Sequence, residues 1–211
     1  MGADRDLGRE RSRVPRGRSS RTVCYIRAAN PSEPDMPRVP YLPADLREPA
    51  EIVDAVRARR GGRLLNLDRM LLHSPELARG WNAHLGAVRT RMSVSPRLRE
   101  IAICVVAVLN DAEYEFMHHA PELLAAGGSQ AQVDALRRPH EAMTNAALFD
   151  DTERATIELT IEMTRNVRVR DGLTEALNAR LGTQHTVELV AAIAAYNMVS
   201  RLLVALGVEP E

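Results

Sequence analysis

Lysine is absent from this sequence: all 28 basic residues are arginine. Codon bias in a GC-rich genome is a plainer account than a selected phosphate-binding surface. An excess of charge is missing too, because 28 acidic side chains balance the arginines and the formal net charge is zero. That balance argues against nucleic acid as the main partner, which calls for a cationic face. Cysteine is scarce. Cys24 and Cys104 lie far apart, form no CxxC or Cys/His spacing, and so exclude a disulfide scaffold and fit a reducing, cytoplasmic setting. Aromatic residues make up 3% of the chain, so Ala, Leu, Val and Ile must build the core. Small aliphatic side chains suit closely packed helices better than stacked sheets. The strongest apolar runs, IAICVVAVL and ELVAAIAAYNMVSRLLVAL, read as too short or too interrupted to span a bilayer, so no membrane association is expected. A Gly-rich phosphate loop, a GxSxG elbow and a Cys/His nucleophile spacing are all missing.

What is present divides in two. Residues 1–38 carry nine arginines, eight of them between Arg5 and Arg27, among Ser, Gly and Pro with little apolar periodicity, and read as a solvated arm. Met36 opens MPRVPYLPADL, which reads as well as a natural start of translation. Residues 39–211 form one domain of helical punctuation, long enough to fold without a disulfide or metal. Its segments run from Ala44 to Arg60, Leu64 to Leu72, Ser74 to Arg91, and Ser95 to Asn110. The next is capped by Asp111 and closed by Gly127-Gly128; others start at Ser129, Asp151, Asp171 and Thr186. Ser-Pro at 74–75 and at 95–96 gives an N-cap followed by an N1 proline. The expectation is an all-α domain of seven to nine helices with no strand.

Ionisable groups crowd into NDAEYEFMHH, residues 110–119. A helix turns about 100° per residue, which puts Glu115 and His119 about 40° apart on one face and His118 about 60° away on the other side of Glu115. A carboxylate four residues from an imidazole can fix its tautomer and raise its pKa, as general acid/base catalysis requires. The same spacing is also an ordinary surface pair. Glu100 begins the preceding apolar helix, and an antiparallel hairpin could bring it to this face. Pro121 leaves the Met117 carbonyl without its helical donor and predicts a bend after His119. No HExxH or ExxH spacing supplies a second ligand helix, so no metal is expected. Tyr114 reads as core, Cys104 as a buried and unreactive thiol, and His73, His84, His140 and His185 as isolated surface or capping residues.

The stretch SPRLREIAICVVAVLNDAEYEFMHHAPELLAAGGSQAQVDAL, residues 95–136, resembles the central motif of the carboxymuconolactone decarboxylase family, which includes the AhpD-like alkylhydroperoxidases. ELVAAIAAYNMVSRLLVALGVE, residues 188–209, is similar to that family's closing helix. The resemblance implies a compact AhpD-like helical fold, assembly into trimers or hexamers, and a site near a subunit interface. In the AhpD-like branch a glutamate is followed by a CxxC pair and a histidine; carried onto this chain, these fall on Glu100, on Ala112 and Glu115, and on His119. Both redox thiols are therefore replaced, and Cys104 occupies neither position. The resemblance implies instead a decarboxylase-like catalytic set of Glu100, Glu115 and His119, acting without cofactor or metal. Its substrate would be a small carboxylated lactone or related acid from aromatic catabolism. His119 would donate the proton, oriented and charged by Glu115, with Glu100 as relay. An anionic substrate needs a cation, and Arg97 and Arg99 are nearest in sequence. A diverged peroxidase-family protein and a non-catalytic oligomeric binding protein remain the competing readings.

Overall fold

The computed structural model describes residues 37–211, so all but the end of the arm expected at 1–38, and the alternative start at Met36, lie outside the described residues. Ten helices and no strand are found among the described residues. They are α1 (Ala50–Arg59), α2 (Asn66–Leu71), α3 (Pro75–Thr90), α4 (Pro96–Leu109) and α5 (Glu113–Ala125), then α6 (Gln130–Leu136), α7 (Pro139–Ala142), α8 (Asp151–Arg165), α9 (Leu173–Leu181) and α10 (Thr183–Leu206). The all-α expectation holds. The additional helix is α7, a single turn opened by Pro139 and too short to leave a periodic apolar signal.

α4 is the axis of the domain, and its composition explains why. A helix that is apolar all round must be buried on every side. Ala102, Ile103 and Val106 face a core built with α1, α2, α3 and α10. Ile101, Cys104 and Val105 face a second core with Phe116, Leu123, Leu136, Phe149 and Ile157. α5 returns antiparallel along α4 after a tight turn in which Asp111 adopts φ 54°. Asn110 secures that turn by donating to Ser200 Oγ at 2.7 Å and Asn197 Oδ1 at 3.1 Å on α10. At the other end of α4, Glu188 of α10 accepts from the backbone N–H groups of Ser93 and Val94 at 2.8 and 2.6 Å. The hairpin that carries the ionisable cluster is thus pinned to α10 at both ends.

Several boundaries differ from the sequence expectation, each for a local reason. α1 starts at Ala50 because Pro43 and Pro49 interrupt the segment from Ala44. Ala112, not Asp111, is the N-cap of α5, since Asp111 is committed to the left-handed turn. Asp150 caps α8 through the N–H groups of Thr152 and Glu153, and Gly172 at φ 84° precedes α9. α5 continues through Pro121 to Ala125. α10 starts three residues before Thr186 and reaches 24 residues, so by length and composition it could cross a membrane, contrary to the sequence expectation. Its Leu189, Ala192, Ile193, Tyr196, Val199 and Leu203 are buried against the rest of the domain, which makes it a core helix here.

Candidate active site

The α4–α5 hairpin brings together all three residues singled out from the sequence. Glu100, Glu115 and His119 are 2%, 4% and 2% exposed. His119 Nδ1 lies 2.5 Å from Glu100 Oε2, and Nε2 lies 3.2 Å from Glu115 Oε2. The other Glu100 oxygen accepts from Arg99 Nε at 3.1 Å. The ring edge of Tyr196 meets the imidazole with centroids 4.9 Å apart. His119 is therefore held between two carboxylates, not oriented by Glu115 alone, and Glu100 is its closer partner.

This enclosure sets the charge state. Burial by itself would drive the His119 pKa down, but the hydrogen bonds to Glu100 and Glu115 and the fields of both carboxylates outweigh it and hold the pKa above its ordinary value. Burial likewise works to raise Glu100, and its bond to the imidazole, with the nearby Arg99, brings its pKa below the usual carboxylate value. With a carboxylate oxygen at each ring nitrogen, the imidazolium form donates from both. Among the described residues no group of three or more His, Cys, Asp or Glu side chains is placed to hold a metal ion.

Glu115 and His119 line a narrow cavity, with about 30 Å³ open to a water-sized body, between α5, α10 and the α1–α3 layer. That is room for about one water, so a larger substrate must displace lining side chains to enter. Trp81, Leu85 and Val199 supply apolar wall, and Tyr114, His118 and Tyr196 supply polar-tipped rings. Tyr114 and His118 stack with centroids 4.3 Å apart. His118 is fixed from both sides: Nδ1 bonds the Tyr114 carbonyl at 2.7 Å and Nε2 meets Glu211 Oε2 at 3.2 Å. Glu211 also accepts from the Asn66 N–H and sits 3.4 Å from the Tyr114 hydroxyl, so the last residues of the chain lie along the rim of the cavity.

The cations of the cavity are Arg59, Arg60 and Arg89, none of which the sequence pointed to. Arg59 bonds Asn82 and approaches the buried Asp68 at 3.6 Å. Arg60 Nε lies 3.1 Å from Asp68 Oδ2, although its N–H is directed off the line of a hydrogen bond. Arg97 and Arg99, the arginines nearest in sequence to the cluster, do not line the cavity. Arg97 joins α4 to its neighbours through Glu153 Oε1 at 2.5 Å and Gln132 Oε1 at 3.2 Å. Arg99 is spent on Glu100. The missed residues left faint signals: Trp81 is the one tryptophan, and Tyr196 is the one aromatic in an aliphatic helix. Arg89 left none, because it reaches the site only through the packing of α3 on α1 and α10.

Cys104 is fully enclosed, and burial, aided by the field of Glu100, pushes its thiol far above the range in which a thiolate forms. Ala112 and Glu115, where the AhpD-like pattern has cysteines, are both buried at the start of α5.

Residues 75–159 match the model of the carboxymuconolactone decarboxylase family, a span holding Glu100, Glu115, His119 and Arg89. No curated protein matches the chain by sequence. Among solved structures, an uncharacterized peroxidase-related protein from Silicibacter sp. superposes with a TM-score of 0.66 at 17% identity, covering 89% of this chain and 95% of that one. An alkylhydroperoxidase AhpD core protein from Ralstonia eutropha, also peroxidase-related and uncharacterized, gives 0.64 at 20% identity over 85% of this chain and 94% of its own. A protein of unknown function from Agrobacterium tumefaciens gives 0.60 at 18% identity over 67% and 95%. At these identities the likeness shows the fold alone.

Proposed function

We propose that this chain, whose residues 75–159 match the model of the carboxymuconolactone decarboxylase family, is a general acid/base enzyme of that kind, acting on a small carboxylated lactone or related acid. The observation that carries this reading is His119, buried between Glu100 and Glu115 at the wall of a cavity. Its lining is cationic: Arg59, Arg60, Arg89 and the imidazolium face Glu115 as the single lining carboxylate. Such a wall favours an anion, the substrate class that the family's carboxylated lactones exemplify.

In the proposed reaction the bond between the substrate's carboxylate and its ring carbon breaks, CO2 leaves, and the bonding pair passes into the conjugated lactone. A proton then closes the balance at carbon. His119 Nε2 supplies that proton from the cavity wall, oriented by the Glu115 carboxylate, while Glu100 holds Nδ1 and keeps the ring charged. The scheme needs no cofactor. We further propose a cytoplasmic homo-oligomer, trimer or hexamer, with residues 39–211 as its helical domain and residues 1–38 as an arm.

The peroxidase-related names of the structural neighbours favour a second reading, a diverged peroxidase-family protein. A thiol peroxidase needs an attacking and a resolving thiolate. Cys104, encased in the core, supports neither role. The deciding experiment is a screen of small cyclic acids and lactones for CO2 release or isomerisation, with hydroperoxide plus thiol run in parallel. The expected result is lactone turnover that His119→Ala abolishes and no peroxide reduction; unchanged turnover in His119→Ala removes the acid/base assignment.

A further inference from the structure

Two polar side chains of the cavity keep hydrogen-bonding capacity that no described residue uses. Arg89, on α3, makes no hydrogen bond to any described residue, and the carboxylate facing it, Glu122 on the surface, stays 3.6 Å away. Tyr196, on α10, is 2% exposed, yet its hydroxyl also bonds no described residue. Arg60 Nε is the only fully enclosed side-chain nitrogen or oxygen without a partner among the described residues, so the Tyr196 hydroxyl must open onto the cavity. Native interiors seldom leave such groups idle.

Arg59 and Arg60 differ, because the fold already occupies them with Asn82 and Asp68. Two guanidinium groups nonetheless share one buried aspartate. Burial first, and then the field of Arg60, lowers the Arg59 pKa, with Arg89 adding to the strain. An anion at Arg89 would relieve that repulsion. The phenol can join it as a neutral donor, since burial pushes the Tyr196 pKa well up.

We propose that Arg89 and the Tyr196 hydroxyl form a binding subsite for a planar oxyanion, a carboxylate or an enolate oxygen, of the substrate handled by His119. The proposal rests on reading this cavity as the active site. A guanidinium offers paired N–H donors in the plane of a carboxylate, and the phenol adds a third. Transition-state logic narrows which oxygen binds. Gripping the carboxylate that departs as CO2 would stabilise the ground state and slow its loss. The subsite therefore suits an oxygen that keeps or gains charge: the lactone carbonyl as it becomes an enolate, or a second carboxylate that stays on the substrate.

Calorimetric titration of the full chain with formate, acetate and benzoate, at constant ionic strength set with chloride, tests the subsite apart from turnover. The expected result is saturable carboxylate binding. Arg89→Gln should weaken it by about 10-fold or more and Tyr196→Phe by about 3- to 10-fold, as loss of hydrogen bonds to a charged group implies. His119→Gln should bind within about 3-fold of the parent while losing turnover, which separates this subsite from the proton donor. If Arg89→Gln does not fold cooperatively, Arg89→Lys takes its place, because it keeps the charge and removes the planar fork. No saturable binding by the parent, or parent-like binding by the Arg89 and Tyr196 variants, overturns the subsite. Saturable binding without turnover of any lactone leaves the subsite standing and removes the acid/base reading instead.

Discussion

Glu100 and His119 meet at 2.5 Å across the α4–α5 hairpin, with both side chains withdrawn almost wholly from solvent. A buried ion pair of this kind is costly to break from one side, because the surviving charge is left without compensation. Glu100→Ala should therefore destabilise the fold by about 3–5 kcal/mol. Urea unfolding measures it, and a loss below about 1 kcal/mol would show that the pair is not formed in solution.

The pH dependence of stability should carry the same signature. His119 has a raised folded pKa, so its contribution is fully present below its unfolded value near 6.5 and is lost as pH climbs through the higher folded value. Glu100 has a depressed folded pKa, so its contribution is present above about 4.5 and is lost as pH falls through the lower folded value. The stability advantage of the parent over His119→Gln should peak between those two unfolded values and shrink on the alkaline side. A difference that grows with rising pH above 6.5 would reverse the assigned protonation state.

Cys104 should resist modification. In a Cys24→Ser background, a disulfide reagent should label Cys104 only as fast as the domain opens globally, so labelling accelerates in urea in step with unfolding. Rapid labelling of the native protein would reinstate thiol chemistry as a candidate.

The position of α4 between two cores makes its side chains unusually sensitive to truncation. Ile103 is fully enclosed, and Ile103→Ala should cost about 2–5 kcal/mol by transfer and cavity formation. Val187→Ala, at a position 62% exposed on α10, should stay within about 0.5 kcal/mol. Thermal unfolding of the two variants checks the contrast.

Much of this site was legible before any coordinates. The apolar length of α4, the Asn-containing turn and the i,i+4 placement of Glu115 and His119 follow from periodicity. Their likeness to a known motif added Glu100. Helix ends were read less well: Asp111 and Asp151 look equally good as starts until backbone geometry commits Asp111 to a left-handed turn and gives the cap of α8 to Asp150. The cations were not legible for a deeper reason. Arg97 and Arg99 are close in sequence but are consumed by Glu153 and Glu100, whereas Arg59, Arg60 and Arg89 arrive from two other helices. Proximity along the chain carries no information about which face of a neighbouring helix turns inward.

The Glu211 carboxylate, resting on His118, Tyr114 and Asn66 at the cavity rim, has a practical consequence for anyone handling this protein. A purification handle or reporter fused after Glu211 would emerge beside Tyr114 and His118, two of the residues that line the cavity. Ligand titrations on such a fusion would read the handle together with the cavity, so the handle belongs at the opposite terminus or behind a cleavable joint.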